Sequence, residues 1–532
     1  MNPNRFYSRR AAVVALVFFA TAVALAAHLY TTVSAQEKSE CPIRVTILQV
    51  NDVYQFAPVD FGKSGGLARV LTLRKRIMRE SPNTLFLFSG DTISPSIESN
   101  TKQDGKMLQG RQMIEAWNLV GLDYAAFGNH EFDFGPTILL DRVRESNFKW
   151  LGANVFDKKT GKLFADTPEF VVREFEGVKV GIFGILLPDT RQTSSPGNNV
   201  EIREPCETAA RVIPKIRAAG AQVIVALTHL SMREDKQLAR CSDVDVIIGG
   251  HEHTLLESMA GHAPIFKMTS DARELGQIDL NISRSTGKLE SIDWKVWPVN
   301  AGVESDADFA PLIAKYGDLL KSLDEVVGQT EVKLDLASAV VRTQETNMAD
   351  FIADVYRQAT GADVALVNGG SIRADSEIEP GNITRRDVLQ ILPYNNHIVK
   401  IQISGAVLRA ALEYGVASMG PGEQPGRFPQ VSGMRYTYDA RLKPGARLQS
   451  VTVNGKALDD KQTYTLATSD YVALKQGDGY EVFRNAKVLI GTDGPMEADV
   501  LMKAITSVPS IAPKVDSRIT RVDAAKSQAA CK

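Results

Sequence analysis

Five short apolar segments of this 532-residue chain each end in side chains able to bind a metal ion. Val45–Val50 runs into Asn51-Asp52, and Leu85–Phe88 into Gly90-Asp91. Tyr124–Phe127 leads to Gly128-Asn129-His130-Glu131, Val223–Leu227 to Thr228-His229, and Val244–Ile248 to Gly249-Gly250-His251-Glu252-His253. Carboxylate, amide and imidazole suit Zn²⁺, Mn²⁺ or Fe, and no thiolate takes part. Six such groups (Asp52, Asp91, Asn129, His229, His251 and His253) exceed the needs of one four-coordinate ion. Two ions about 3.5–4 Å apart, sharing one carboxylate, would use them all, polarise a phosphoryl group and make hydroxide available near neutral pH. Any one of these histidines is as readily a hydrogen-bonded loop residue. Four of the seven histidines nevertheless fall in these motifs, and the agreement of so many strand ends outweighs the single-residue reading. Neither His130-Glu131 nor His251-Glu252-His253 is the H-E-x-x-H of a zinc peptidase helix.

The elements that must position these groups follow from periodicity. Apolar strands alternate with helical stretches such as Met107–Val120 and Glu207–Ala219, which indicates an α/β domain over residues 42–300. In such sheets ligands bind at the carboxyl ends of the strands. The strand Val178–Phe183 is a control, because it ends in Gly184-Ile185 and carries no ligand. Apolar residues at helical intervals (Leu312, Ile313, Tyr316, Leu319, Leu320, Leu323) predict a connecting helix within 301–327. A second α/β domain is expected over 328–522, with a helix at Asn347–Thr360, a strand at Val364–Val367 and a Gly-rich loop at Asn368-Gly369-Gly370. The Ala-rich polar tail, 523–532, is expected to lie outside both domains.

Bulk properties narrow the function further. A length of 532 residues calls for more than one domain. The formal net charge of -2 argues against a nucleic-acid polymer as partner. Arg5, Arg9 and Arg10 precede an apolar run from Ala11 to Ala27 and a small-residue site, Val33-Ser34-Ala35, so residues 1–35 read as a secretory signal peptide. The expected location is periplasmic or extracellular. The alternative is an uncleaved membrane anchor, since the run is near the lower limit of about 17–25 residues for a span. Four cysteines are present and none forms a C-x-x-C pair. In an exported protein, Cys206 with Cys241 is the more plausible disulfide, and Cys41 with Cys531 would tie the ends.

The series Asp52, Gly90-Asp91, Gly128-Asn129-His130-Glu131, Thr228-His229 and Gly250-His251-Glu252-His253 resembles the calcineurin-like metallophosphatases. Spacing and the second domain resemble the 5′-nucleotidase branch over nearly the whole mature chain. The resemblance implies an N-terminal four-layer α/β/β/α sandwich, a linker helix and a second α/β substrate-binding domain. It also implies that Asp91 bridges two divalent ions, that Asp52 and His253 complete one site, and that Asn129, His229 and His251 complete the other. His130, paired with Asp133, would stabilise the phosphoryl charge or protonate the leaving oxygen. The family usually has D-x-H after the first strand, whereas this chain has Asp52-Val53-Tyr54. Tyr is a poor Zn²⁺ ligand at neutral pH but can bind Fe(III) as phenolate. A tyrosinate ligand, a water in its place, or a weakened first site all remain open.

In the second domain, Asn368-Gly369-Gly370-Ser371-Ile372-Arg373 resembles the family's N-G-G-x-I-R, whose Asn and Arg contact the substrate phosphate. Arg342 stands near another phosphate contact of the family. Tyr394 and Tyr471 match two aromatic residues that hold the nucleobase, and Asp478 matches an acid that binds the ribose hydroxyls. The Tyr471–Asp478 spacing is one residue longer than the family pattern. The expected function is an exported, metal-dependent 5′-nucleotidase, with domain rotation near residues 300–330. The alternatives are cleavage of 2′,3′-cyclic nucleotides, of nucleotide-sugar pyrophosphates or of carrier thioesters, and an inactive nucleotide-binding relative.

Overall fold

The computed structural model describes residues 41–522 apart from 61, 104 and 421. The expected signal peptide, the tail and Cys531 lie outside the described residues. Two six-stranded sheets form the first domain. One runs Leu289–Pro298, Glu274–Ile282, Ile43–Val50, Thr84–Phe88, Tyr124–Ala126, Lys149–Leu151. The other runs Leu256–Ala260, Ala263–Lys267, Val246–Gly249, Val223–His229, Val178–Leu186, Val171–Phe175.

Alternation along the strands builds the layers. Side chains on a strand point to opposite faces in turn. Val45, Ile47, Leu85, Leu87, Val223, Val225 and Leu227 share one buried cluster between the sheets. Their neighbours Leu48, Val50, Phe86, Phe88, Ile224 and Ala226 belong to a second cluster with the helices. The central strands of both sheets are therefore buried on both faces, which suits parallel strands flanked by helices. Trp117, on the helix Arg111–Val120, packs against Phe86 and Phe88. On the other side, Pro205–Ala218 and Met232–Cys241 are tied by the disulfide Cys206–Cys241, as expected.

Several boundaries differ from expectation. The helix expected from Met107 begins at Arg111, because Lys106–Met107 pairs with Lys102–Gln103 and Gly110 adopts a left-handed turn. The control strand extends to Leu186, beside its partner Val223–His229. The single connecting helix is instead a 3-10 turn at Ala307–Phe309 followed by short helices Ala310–Lys315 and Gly317–Leu323. Tyr316 leaves helical geometry ahead of Gly317, and glycine is a poor helix former. Val326–Thr330 already pairs with Gly381–Thr384, so sheet structure resumes inside the expected linker.

A five-stranded sheet centres the second domain, in the order Pro429–Ser432, Val364–Asn368, Thr463–Ser469, Ile398–Ser404, Lys487–Ile490. Ala365 and Val367 face one apolar cluster, and Val364 and Leu366 face the other. The helix Asn347–Thr360 has the expected limits, with the Thr346 side chain capping Ala349 N and Gly361 in the left-handed region after its end. Arg386 of this domain is buried at the interface, donating to Glu98 Oε1 and Gln55 Oε1 of the first domain, both at 3.2 Å. Among the described residues, no helix is long and apolar enough to cross a membrane.

Candidate active site

The parallel strands of both sheets end at one place. Asp52 and His229 are fully buried and Asp91 is 1% exposed, and ligand atoms of these three residues all lie within 4.8 Å of one another. His253 Nε2 is 3.0 Å from Asp52 Oδ1. The rings of His229 and His251 meet edge to face with centroids 5.2 Å apart. Backbone conformation aims these groups inward. Asp52, Asp91, His251 and His253 all have positive φ, between 52° and 87°, a region costing a non-glycine residue about 1–3 kcal/mol. The packing leaves no room for Cβ at Gly128, where one would lie 2.1 Å from Asp91 Oδ1.

The cluster demands positive charge. Burial disfavours a charged His229, but Asp91 and Asp52 outweigh burial and hold its pKa up to about 10. Burial opposes the charge on Asp52 too, but His253 and His229 outweigh it and hold the carboxyl well below the usual range. Two buried atoms of the expected ligands have no hydrogen-bond partner, Asn129 Oδ1 and His229 Nε2. His229 Nε2 lies 3.1 Å from Asp91 Oδ2, while Nδ1 donates to Ser89 O at 2.7 Å, so Nε2 is the nitrogen turned to the acids and the one whose proton a bound cation would replace. An imidazole nitrogen facing two buried carboxylates, with the partnerless Asn129 oxygen on the next loop, fits divalent metal binding.

Tyr54 reaches into the same cluster. Its hydroxyl lies 3.2 Å from Asp52 Oδ1, 3.4 Å from Asp91 Oδ2 and 2.9 Å from His253 Nε2, and accepts from Arg373 Nη2 at 2.7 Å. Burial raises its pKa well above the ordinary value; Arg373 opposes this, and Asp52 and Asp91 add to it. Even with the Arg373 guanidinium beside it, the phenol keeps its proton.

His130 sits one residue beyond Asn129 on a 3-10 turn and lines the cavity above the cluster. Its Nδ1 donates to Asp133 Oδ2 at 2.8 Å, and Ser194 Oγ donates to Asp133 Oδ1 at 2.7 Å. This leaves Nε2 for the cavity. The pair has the geometry of an oriented acid–base group.

The second domain closes that cavity, whose volume is about 1030 Å³. Asp91, Asn129, His130, Asp133, His251 and His253 line one side, and Arg342, Asn368, Arg373, Tyr394, Tyr471 and Asp478 the other. Of the site residues expected from the sequence, Asp52 and His229 alone lie beneath its surface. Asn368 Nδ2 donates to Asp478 Oδ2 at 2.6 Å, and the Tyr471 hydroxyl donates to Asp478 Oδ1 at 3.2 Å. Between Tyr471 and the acid the chain turns through left-handed Gln476, and Asp478 is itself left-handed. Arg342 is buried, and its Nε has no hydrogen-bond partner.

Three supporting residues escaped the sequence reading. Glu131 accepts from the backbone of Asp91 at 2.9 Å and of Thr92 at 2.6 Å, fixing the turn that carries Asp91. Lys267 is buried and donates to Leu230 O at 2.6 Å and Gly250 O at 2.9 Å, joining the loops that carry His229 and His251. Burial opposes its charge, but Asp235 and Glu252 outweigh burial and raise its pKa. Asp375, from the second domain, hydrogen-bonds His253 Nδ1. Glu131 at least stood inside a quoted motif; nothing local marked Lys267 or Asp375.

Two family models match successive parts of the chain. The calcineurin-like phosphoesterase family matches residues 45–255, and the 5′-nucleotidase C-terminal domain matches 326–485. A trifunctional nucleotide phosphoesterase of Bacillus subtilis (strain 168) is 31% identical over 90% of this chain, which spans only 35% of that protein's length. A snake venom 5′-nucleotidase of Gloydius brevicauda is 27% identical, covering 89% of this chain and 88% of its own. Among solved structures, the 5′-nucleotidase precursor of Thermus thermophilus superposes with a TM-score of 0.82 at 28% identity, over 90% of this chain and 99% of that one. This chain belongs to the 5′-nucleotidase family, whose members join a calcineurin-like phosphoesterase domain to a 5′-nucleotidase C-terminal domain, and it is a hydrolase of phosphoester bonds.

Proposed function

We propose that this protein is an exported 5′-nucleotidase that removes the phosphate of a nucleotide by a two-metal mechanism. One observation carries the reading: a single cavity has metal-binding groups on one wall and arginines, tyrosines and an acid suited to a nucleotide on the other. The names of the relatives, a nucleotide phosphoesterase and a 5′-nucleotidase, point to the same substrate class.

Asp52, Asp91 and His253 would hold one divalent ion, and Asp91, Asn129, His229 and His251 the other, whether Zn, Mn or Fe. When bound, the ions supply Lewis acidity toward the phosphoryl group and an activated water. The remaining roles belong to side chains. Arg373 and Asn368, with Arg342 behind them, hold the phosphate oxygens, for which the planar guanidinium gives paired donors. Tyr394 and Tyr471 stack on the base, and Asp478 accepts from the ribose hydroxyls. As the oxygen of water bonds to phosphorus and the ester P–O bond breaks, His130 gives its Nε2 proton to the leaving oxygen, oriented by Asp133. The disulfide Cys206–Cys241 suits an oxidising compartment, in line with the export signal read in residues 1–35.

A cavity of about 1030 Å³ stands at the upper end of small-molecule sites. Its size favours, as a second reading, larger nucleotide esters such as nucleotide-sugar pyrophosphates on the same machinery. The decisive experiment measures phosphate release from AMP, ATP, a 2′,3′-cyclic nucleotide and an aryl phosphate, with Mn²⁺, Zn²⁺ or Fe added in turn. Release from nucleotides that is lost on chelation and in His130→Ala supports the proposal. No release with any metal overturns it in favour of a binding protein.

A further inference from the structure

The chain segment that carries Arg373 continues two residues into the first domain. There Asp375 is buried, with a side chain 5% exposed. One carboxylate oxygen hydrogen-bonds His253 Nδ1 and accepts from Ser270 Oγ at 3.2 Å, both groups of the first domain. The other accepts from Ser338 Oγ of its own domain. Ser270 is itself braced, since Arg273 Nη1 donates to its Oγ at 3.0 Å. With Nδ1 so engaged, the His253 ring turns Nε2 toward Asp52 Oδ1 at 3.0 Å and the Tyr54 hydroxyl at 2.9 Å.

A carboxylate on one imidazole nitrogen fixes the tautomer, orients the ring and raises the basicity of the other nitrogen. Two of the three cluster histidines obtain this support differently. His229 Nδ1 rests on Ser89 O, a backbone group of its own domain. His253 Nδ1 rests on a side chain that arrives with the other domain. The backbone of Asp375 is left-handed, φ 53°, a region that aspartate and asparagine enter more readily than other non-glycine residues.

We infer that Asp375 is a positioning residue for the first metal site, supplied across the domain interface, so that this site is complete only when the second domain is docked. The inference rests on the two-metal reading above. It makes the two ions unequal: the ion at Asp52 and His253 depends on docking, and the ion at Asn129, His229 and His251 does not. Arg373 and Asp375 share one segment, so a phosphate gripped by Arg373 holds Asp375 against His253. Phosphate and the first ion then strengthen each other's binding, as linkage requires.

The test uses the full chain and a competing chelator to measure two dissociation constants for Zn²⁺, with and without saturating inorganic phosphate. Asp375→Asn suits the backbone, because Asn tolerates the left-handed region. The expected result is one ion weakened about 10- to 100-fold and the other unchanged. Phosphate should tighten the affected ion in the native protein and fail to do so in the variant. Ser338→Ala should move the same ion in the same direction by less. Two ions held as tightly in Asp375→Asn as in the native protein, or weakened alike, overturn the inference while leaving the two-metal reading in place. A native protein that binds fewer than two ions overturns both. If metal-free Asp375→Asn melts well below the native protein, Ser338→Ala decides alone: a selective loss supports the inference and no loss overturns it.

Discussion

The acids and imidazoles of the first domain and the arginines and tyrosines of the second face one cavity, yet they are held in different ways. Asp52, Asp91 and His229 sit at the ends of parallel strands buried on both faces, with the close approach of Gly128 leaving Asp91 no freedom. Glu131 and Lys267 hold the connecting loops from beneath. Tyr394 and Tyr471 are only partly buried, and the segments that carry them, a loop and the short helix Asp470–Ala473, meet the first domain through few polar contacts. Asn395 Nδ2 donates to Asn100 Oδ1 at 3.0 Å, and the Tyr471 hydroxyl lies 3.3 Å from Gln192 O. Most of the acids and imidazoles are prebuilt in one domain, with Asp375 arriving from the other, while recognition depends wholly on how that second domain docks. Changes at the acids and imidazoles of the first domain should therefore abolish turnover for every substrate, and changes at the tyrosines of the second should alter which substrate is turned over.

The largest effect is expected at Asp91. In Asp91→Ala, turnover of AMP and of an aryl phosphate should both fall to the detection limit, and elemental analysis should show lost metal. An active variant with full metal content would remove Asp91 from the shared position. Next comes His130→Ala, with kcat lower by about 10²- to 10⁴-fold and metal content unchanged. Asp133→Asn should cost less, because it misorients the imidazole without removing it. Both should affect AMP more than an aryl ester, whose better leaving group needs less help from an acid.

On the second domain the comparison turns to selectivity. Tyr471→Ala removes a stacking face worth about 1–3 kcal/mol, so KM for AMP should rise about 5- to 150-fold while the aryl phosphate is untouched. Tyr471→Phe keeps the ring but loses the hydroxyl bond to Asp478, and should give a smaller loss confined to ribose-bearing substrates. Equal losses for AMP and aryl phosphate in either variant would mean that Tyr471 supports the fold and not the base.

How much of this was legible in the sequence depends on the distance over which each role is set. Asp52, Asp91, His229 and His251 announced themselves because an apolar run and a ligand type are adjacent in the chain. Helix limits were less legible. Periodicity from Met107 could not show that Lys106–Met107 pairs as a short strand, nor could Leu312 to Leu323 show the break at Tyr316. Asp375 was illegible because its partner, His253, is 122 residues away. Lys267 looked like any strand lysine until its loops folded over it. Tyr54 was visible as a departure, and only the folded chain shows that its hydroxyl stands among Asp52, Asp91, His253 and Arg373.

The smallest expected effect lies behind the Tyr394 loop. Glu497 is fully buried; the Tyr356 hydroxyl and Asn396 Nδ2 donate to it, and its own N–H donates to Asn396 O at 3.1 Å. Burial pushes its pKa from 4.5 to about 8 despite those hydrogen bonds. Between these values the folded chain holds a proton that the unfolded chain has released, so folding stability falls as pH rises. The contribution is complete below about pH 4.5 and lost as pH climbs through about 8. Glu497→Gln mimics the protonated acid and should flatten this part of the stability curve, measured as urea midpoints from pH 5 to 9. Because Asn396 is two residues from Tyr394, KM for AMP in the native protein should also rise above pH 8, and that rise should shrink in the variant. A native curve as flat as the variant's would show that Glu497 ionises normally. A KM that ignores pH would separate the Tyr394 loop from the core beneath it, making the reader more self-contained than its contacts imply.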